Sequence, residues 1–269
     1  MDRPLKAYED VEFLKCDECR PVRLQLELLK PEVLMQEHLI RSTLVLFGSA
    51  RTLSPEDALA QLNAAEQKLA AAPSDDSLRL AVAQARERKA LSHYYGVARE
   101  LARLVSGSSQ GAGGCDFVVM TGGGGGIMEA GNRGAADVEA KSIGLNISLP
   151  FEQHPNEFIT EDLSFCFHYF SIRKMHFLLR ARALCAFPGG FGTLDELFET
   201  LTLIQTHKIP RIPVLLFGRE FWEDLINWDA LVRRQLISPE DLDIFQFVET
   251  AEEGWEHIRA FCGDPEGVL

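Results

Sequence analysis

The segment Pro188-Gly189-Gly190-Phe191-Gly192-Thr193-Leu194-Asp195-Glu196 sets three glycines, a hydroxyl and two carboxylates within nine residues. Glycine lets backbone N–H groups approach an anion closely. A helix opening just after such a turn adds free N–H groups and the positive end of its dipole. The turn therefore suits a phosphate, with Gly189, Gly190, Gly192 and Thr193 as the cradle. Thr193 would cap the helix and also offer its hydroxyl. Glu196 follows Thr193 at the spacing of a capping box, in which its carboxylate would bond the Thr193 N–H. Leu194, Leu197, Phe198, Leu201 and Ile204 form the apolar face of this helix, which puts Glu196 on the opposite side. A carboxylate there either caps the helix or works on whatever the turn holds.

A second glycine run, Thr121 to Gly126, reads TGGGGG. Gly123, Gly124 and Gly125 would give an anion or ribose the same close approach. No Gly-Lys-Ser/Thr follows, so this is not a Walker loop. Ser49, in the turn Gly48-Ser49-Ala50-Arg51, joins the candidate contacts. Two anion-binding turns on one edge suit one ligand carrying a phosphate and a sugar. Residues 169–182 add Arg173, Lys174, His176, Arg180 and Arg182, a basic cluster in an otherwise acidic chain.

These residues need a scaffold, and the pattern around them supplies one. Residues 43–47, 116–120, 143–147, 183–187, 213–217 and 244–248 read as short apolar strands. Helices are expected at 55–72, 76–105, from the glycine run to about 140, 169–182, 194–206, 219–235 and 251–262, with a long loop after 147. Short apolar strands alternating with helices give a parallel sheet covered on both faces. The expected fold is α/β, a Rossmann-like doubly wound sheet with a helical insertion (53–113) after the first strand. Residues 1–40 read as an N-terminal extension and 41–269 as one domain. Ligands in such sheets sit at the carboxyl ends of the strands, where each glycine turn falls.

The chain has 269 residues and a formal net charge of -13. That charge opposes nucleic acid, whose backbone is bound through Lys and Arg, so no nucleic-acid partner is expected. No apolar run is long enough to span a bilayer and the N-terminus lacks a secretory pattern, so a cytoplasmic protein without a membrane partner is expected. Of six cysteines, Cys16 and Cys19 form one CxxC. A structural zinc site needs a second pair or nearby histidines, so these read as reduced thiols. Neither metal nor cofactor is expected.

GGGGGIMEAGNRGA, then SIRK, then PGGFGTLDE resemble the LOG (Lonely Guy) family of phosphoribohydrolases, long labelled lysine decarboxylases. The resemblance runs from about Thr43 to Leu236. It implies hydrolysis of a nucleoside 5′-monophosphate to free base and ribose 5-phosphate. It also implies that Arg173 and Glu196 are catalytic, with Lys174 beside the arginine and Gly189 to Thr193 holding phosphate. Glu152, Thr202 and Glu129 match further substrate contacts. Phe170-Ser171 stands where plant-type members have Met-His, and the insertion and extension are absent from short members. Both features resemble the longer, bacterial branch, which brings AMP in beside cytokinin ribotides. The resemblance further implies a homodimer or larger homo-oligomer. The alternative is a non-catalytic nucleotide sensor or carrier on the same fold, which would keep the glycine turns and need neither Arg173 nor Glu196.

Overall fold

The computed structural model describes residues 4–111, 113–148 and 154–263. The elements are, in order, α1 (Val11–Lys15), α2 (Arg20–Glu37), β1 (Thr43–Phe47), α3 (Pro55–Ala71), α4 (Asp76–Leu91), α5 (His93–Ser109), β2 (Gln110–Gly111), β3 (Gly114–Cys115), β4 (Val118–Thr121), α6 (Ile127–Ala136), β5 (Ser142–Ile147), β6 (Ser164–Phe167), α7 (Phe170–Leu179), β7 (Ala181–Ala186), α8 (Phe191–Gln205), β8 (Val214–Phe217), α9 (Arg219–Leu225), α10 (Trp228–Arg233), β9 (Phe245–Val248) and α11 (Ala251–Cys262). Seven strands form one parallel sheet in the order β6-β5-β4-β1-β7-β8-β9, with β2 and β3 as a separate antiparallel pair.

The fold follows from strands that are apolar on both faces. In β1, Val45 and Phe47 face one core with Phe177 of α7 and Leu197 of α8, while Leu44 and Leu46 face another with Leu101 of α5 and Ile127 of α6. Successive strand side chains alternate faces, so a strand buried on both sides requires helices above and below. The sheet is the doubly wound α/β architecture expected from the alternation.

The structure corrects four element assignments. The helix expected over 76–105 breaks at Ser92. Charge-rich α4 pairs with α3 around Leu62, Val82 and Ala85, whereas α5 buries Tyr94, Tyr95, Ala98, Leu101, Ala102 and Val105 against the sheet. No straight helix could serve both surfaces. The expected 219–235 helix is likewise two helices, α9 and α10. The long loop contains the edge strand β6, whose Phe165 and Phe167 are buried between exposed neighbours. The helix expected from 194 begins at Phe191, which bears directly on the site.

Candidate active site

The chain departs from β1 toward β4 on one side of the sheet and from β7 toward β8 on the other. The carboxyl ends of β1 and β7 therefore flank the point where the winding reverses, the place where open parallel sheets leave a crevice. The turns there are stitched together. Phe187 N–H donates to the Phe47 carbonyl at 2.8 Å, Ser49 N–H to Pro188 at 3.1 Å, and Ile127 N–H to Ser49 at 3.1 Å. A cleft of about 790 Å³ opens above them. Its lining includes Ser49, Arg51, Gly122, Arg173, Gly189, Gly190, Gly192, Thr193 and Glu196, with Met128, Phe170, Phe191 and Phe221 as apolar walls. A second cleft of about 800 Å³, beside edge strand β9, is lined by Arg219, Trp228, Phe245 and His257 and contains none of the glycine turns. Size alone therefore does not locate the site.

Gly190, not Thr193, is the N-cap of α8, and no side chain caps this end. Counting from there, Thr193 is the third helical residue and Glu196 the sixth, so the capping box expected from their spacing does not form. Thr193 instead lies against Gly189: a Cβ on Gly189 would stand 2.2 Å from the Thr193 hydroxyl oxygen. The first-turn N–H groups of α8 open toward the cleft, as an anion site requires.

Glu196 also differs from its expected position. Thr193, Glu196, Leu197, Thr200 and Ile204 form the buried stripe of α8, while Phe198 is exposed. Glu196 is 8% exposed, and among the described residues no hydrogen bond or ion pair to its carboxylate is found. Burial raises its pKa from 4.5 to about 7. The positive charges of Lys174 and Arg173 oppose this rise, and Glu199 and Asp195 reinforce it.

Arg173 is held by its Nε, which donates to the Leu145 carbonyl at 2.7 Å, and by the Phe177 ring 5.1 Å below its guanidinium. Burial lowers its pKa, with Glu196 acting in the opposite sense. Its guanidinium fits because residue 122 is glycine: a Cβ there would stand 2.7 Å from Arg173 Nη2 and 2.8 Å from the Met128 sulfur.

The remaining sequence-derived residues divide. Ser49, Gly189, Gly190, Gly192 and Thr193 line the cleft with Arg173 and Glu196. Lys174 faces a neighbouring groove and pairs with Asp195 at 2.8 Å and Glu199 at 2.9 Å. Burial works against its charge, but those carboxylates outweigh burial and raise its pKa. Thr202 lines that groove too, and its hydroxyl donates to the Phe198 carbonyl at 2.7 Å. Gly123, Gly124 and Gly125 lie behind the cleft wall. Gly123 N–H donates to Thr121 Oγ1 at 3.0 Å, and Asn156 Nδ2 binds the Gly123 and Gly124 carbonyls at 3.2 and 3.0 Å. Glu129 accepts a hydrogen bond from Tyr95 of α5 at 2.6 Å. Glu152 lies outside the described residues.

The basic cluster expected on α7 is dispersed. Arg173 alone of the five faces the cleft; His176 and Arg180 turn toward α2, and Arg182 reaches the Cys262 carbonyl. Sequence reasoning missed Arg51, Gly122 and the apolar walls. Arg51 follows a strand and a glycine turn, which was a usable signal. Met128, Phe170 and Phe221 come from three separate elements, and no local pattern joins them.

Residues 128–258 match a protein family described as "Possible lysine decarboxylase". A probable cytokinin riboside 5′-monophosphate phosphoribohydrolase, LOGL6 of Oryza sativa subsp. japonica, is 29% identical over 98 residues, covering 36% of this chain and 39% of that protein. Over these residues the chain is similar to the LOG family. A bifunctional cytokinin biosynthesis protein of Fusarium pseudograminearum is 38% identical over 65 residues, covering 24% of this chain and 13% of that protein. The matches thus span about two fifths and about an eighth of those relatives. Among solved structures, a molybdenum cofactor carrier protein from Chlamydomonas reinhardtii aligns with 82% of the chain and 99% of its own at 16% identity and a TM-score of 0.46. A molybdenum cofactor binding protein from Rippkaea orientalis aligns with 62% and 87% at 20% identity and 0.44.

Proposed function

We propose that this protein hydrolyses the N-glycosidic bond of a nucleoside 5′-monophosphate, AMP or a cytokinin riboside 5′-monophosphate, to free base and ribose 5-phosphate. The observation that carries the reading is Glu196, a buried carboxylate with no hydrogen-bond or ion-pair partner among the described residues, facing one cleft with Arg173 and the start of α8. A buried acid retained without a structural partner costs stability, which fits a group kept for chemistry.

In this reading the phosphate rests on the N–H groups of Gly192 and Thr193 and on the Thr193 hydroxyl, with Arg173 as counter-charge. An arginine does not supply protons, so its roles are binding and charge balance. Water adds across the bond: its hydroxyl goes to C1′ and its hydrogen to the departing base. The sugar carbon becomes oxocarbenium-like on the way, and the Glu196 carboxylate stabilises that charge or draws the proton from water, as glycosidase carboxylates do. Met128, Phe170 and Phe221 supply apolar surface for a base. The protein also acts, in this proposal, as a homodimer or larger homo-oligomer, supported by exposed Phe170, Met175, Phe191 and Phe198 on α7 and α8.

The family's older label does not fit Lys174. A Schiff-base lysine works as a free amine, and Asp195 and Glu199 hold Lys174 protonated. Incubation with AMP and with a cytokinin riboside monophosphate, followed by chromatography for free base, tests the proposal. Free base is expected from wild type and not from Arg173→Ala. Binding without release would establish a carrier instead.

A further inference from the structure

The N-terminal helix α2 contributes little to the core. Only Pro31 and Met35 of its residues are fully buried, and Val22, Leu26, Leu29 and Val33 face solvent. Apart from Arg20 and Arg23, which bind Asp17 and the Leu14 and Cys16 carbonyls, its polar side-chain contacts nonetheless concentrate on α7 and the residues flanking it. The Glu27 carboxylate accepts the backbone N–H groups of His168 at 2.9 Å and Tyr169 at 3.2 Å. Tyr169 is the N-cap of α7 and provides no side-chain cap of its own. Glu27 thus anchors the two amides just ahead of α7 from another helix, taking the N-cap N–H that an N3 glutamate takes in a capping box. The Tyr169 carbonyl then accepts the Arg173 N–H at 3.2 Å, so one residue separates the Glu27 contact from the backbone of Arg173.

Two further contacts fix the rest of α7. His176 Nε2 lies 3.1 Å from the Glu27 carbonyl, which can only accept, so the ring donates from Nε2. At the far end Arg180 donates to Glu32 at 2.7 Å and to the Ile40 carbonyl at 3.0 Å. α2 therefore holds α7 at its start, middle and end.

We propose that α2 is a positioning element for the reaction, with Glu27 anchoring the start of α7 in trans and thereby setting where Arg173 enters the cleft. The proposal rests on the role given to Arg173 above. Both cations that lower the pKa of Glu196, Lys174 and Arg173, sit on α7, whereas Asp195 and Glu199, which raise it, sit on α8. Loosening α7 thus changes the charge seen by Glu196 in one direction.

The test compares wild type, Glu27→Ala, Glu27→Gln and, on the exposed side of α2, Glu37→Gln. The measurements are kcat/KM for AMP across pH, and hydrogen exchange of amides 170–179. Displacing a catalytic group by about 1 Å costs on the order of 100-fold. Glu27→Ala is expected to lose about 10- to 100-fold in kcat/KM, to exchange α7 amides faster, and to move the rising limb of the pH profile above its wild-type position. Glu27→Gln, which retains one acceptor oxygen, should recover part of the rate, and Glu37→Gln should match wild type. A lower melting temperature with unchanged kcat/KM and an unmoved limb would overturn the proposal. If wild type releases no base from either nucleotide, the functional reading fails and titration with ribose 5-phosphate takes over. Weaker binding by Glu27→Ala then supports positioning, and equal binding overturns it.

Discussion

Two glycine-rich turns leave the same edge of the sheet, after β4 and after β7, and they use glycine for opposite reasons. In the first, glycine makes room inside the protein. Gly126 has φ +66°, and a Cβ there would stand 2.3 Å from the Ser49 carbonyl; Gly122 gives way to the Arg173 guanidinium. The backbone of this turn is already bonded to Thr121 and Asn156. In the second turn Gly189 also packs closely, against Thr193, but nothing lies within 4 Å of a Cβ built on Gly190 or Gly192, and no side-chain hydrogen bond caps the helix. Most of the first turn is consumed by packing, and Gly190 and Gly192 of the second are left open. A glycine run is therefore read by what surrounds it, since composition alone makes the two look alike.

The largest effect should separate the turns by chemistry. Glu196→Gln, beyond the open turn, is expected to lower kcat by about 10²- to 10⁴-fold, the usual weight of a positioned acid or base, with the circular dichroism spectrum unchanged. In wild type the activity should rise as pH passes through about 7, as Glu196 ionises. Stability should run the other way. The unfolded chain loses this proton near 4.5 and the folded protein near 7, so the contribution is full below pH 4.5 and falls as pH rises through 7. At ~1.4 kcal/mol per pKa unit the fall is on the order of 3 kcal/mol. Chemical denaturation at pH 5 and pH 8 should show that Glu196→Gln removes it.

Next in size, Gly126→Ala should destabilise the fold by about 1–3 kcal/mol, because its Cβ meets a backbone carbonyl and its φ disfavours any side chain. A melting temperature equal to wild type would break the distinction between the turns. Gly122→Ala should connect them. Its Cβ meets only the ends of two flexible side chains, so kinetics should show a loss of roughly 10-fold with under about 1 kcal/mol of stability, through displaced Arg173. The smallest effect belongs to Gly190→Ala. Its stability should stay within about 0.5 kcal/mol of wild type, and calorimetry with ribose 5-phosphate should register weaker binding because a methyl group now borders the cradle.

Much of this was readable along the chain. Apolar runs such as Leu44 to Phe47 and Leu184 to Phe187 announce strands buried on both faces, because each is too short for a helix and is ended by glycine or proline. From those strands follow the parallel sheet, the edge where the glycine turns lie and the nearness of the 49 and 189–193 turns. Arg173 and Glu196 were singled out by the family resemblance, and the structure brings both to one cleft. The local pattern misled at α8, where Thr193-x-x-Glu196 matched a capping box that the earlier helix start makes impossible.

The sequence by itself determined the layers and the edge, since hydrophobic period and turn chemistry are local properties. Only the tertiary structure decided which glycine turn is open, which face of α8 carries Glu196, and that Arg173 alone of its basic cluster reaches the cleft. Each of those depends on what lies across the turn or helix in space: Asn146 and Arg173 against one glycine run, solvent against the other, and α2 against the far side of α7. Desolvation and steric exclusion act between residues on separate elements, as many as 148 positions apart for Glu32 and Arg180, and no local window along the chain contains both partners.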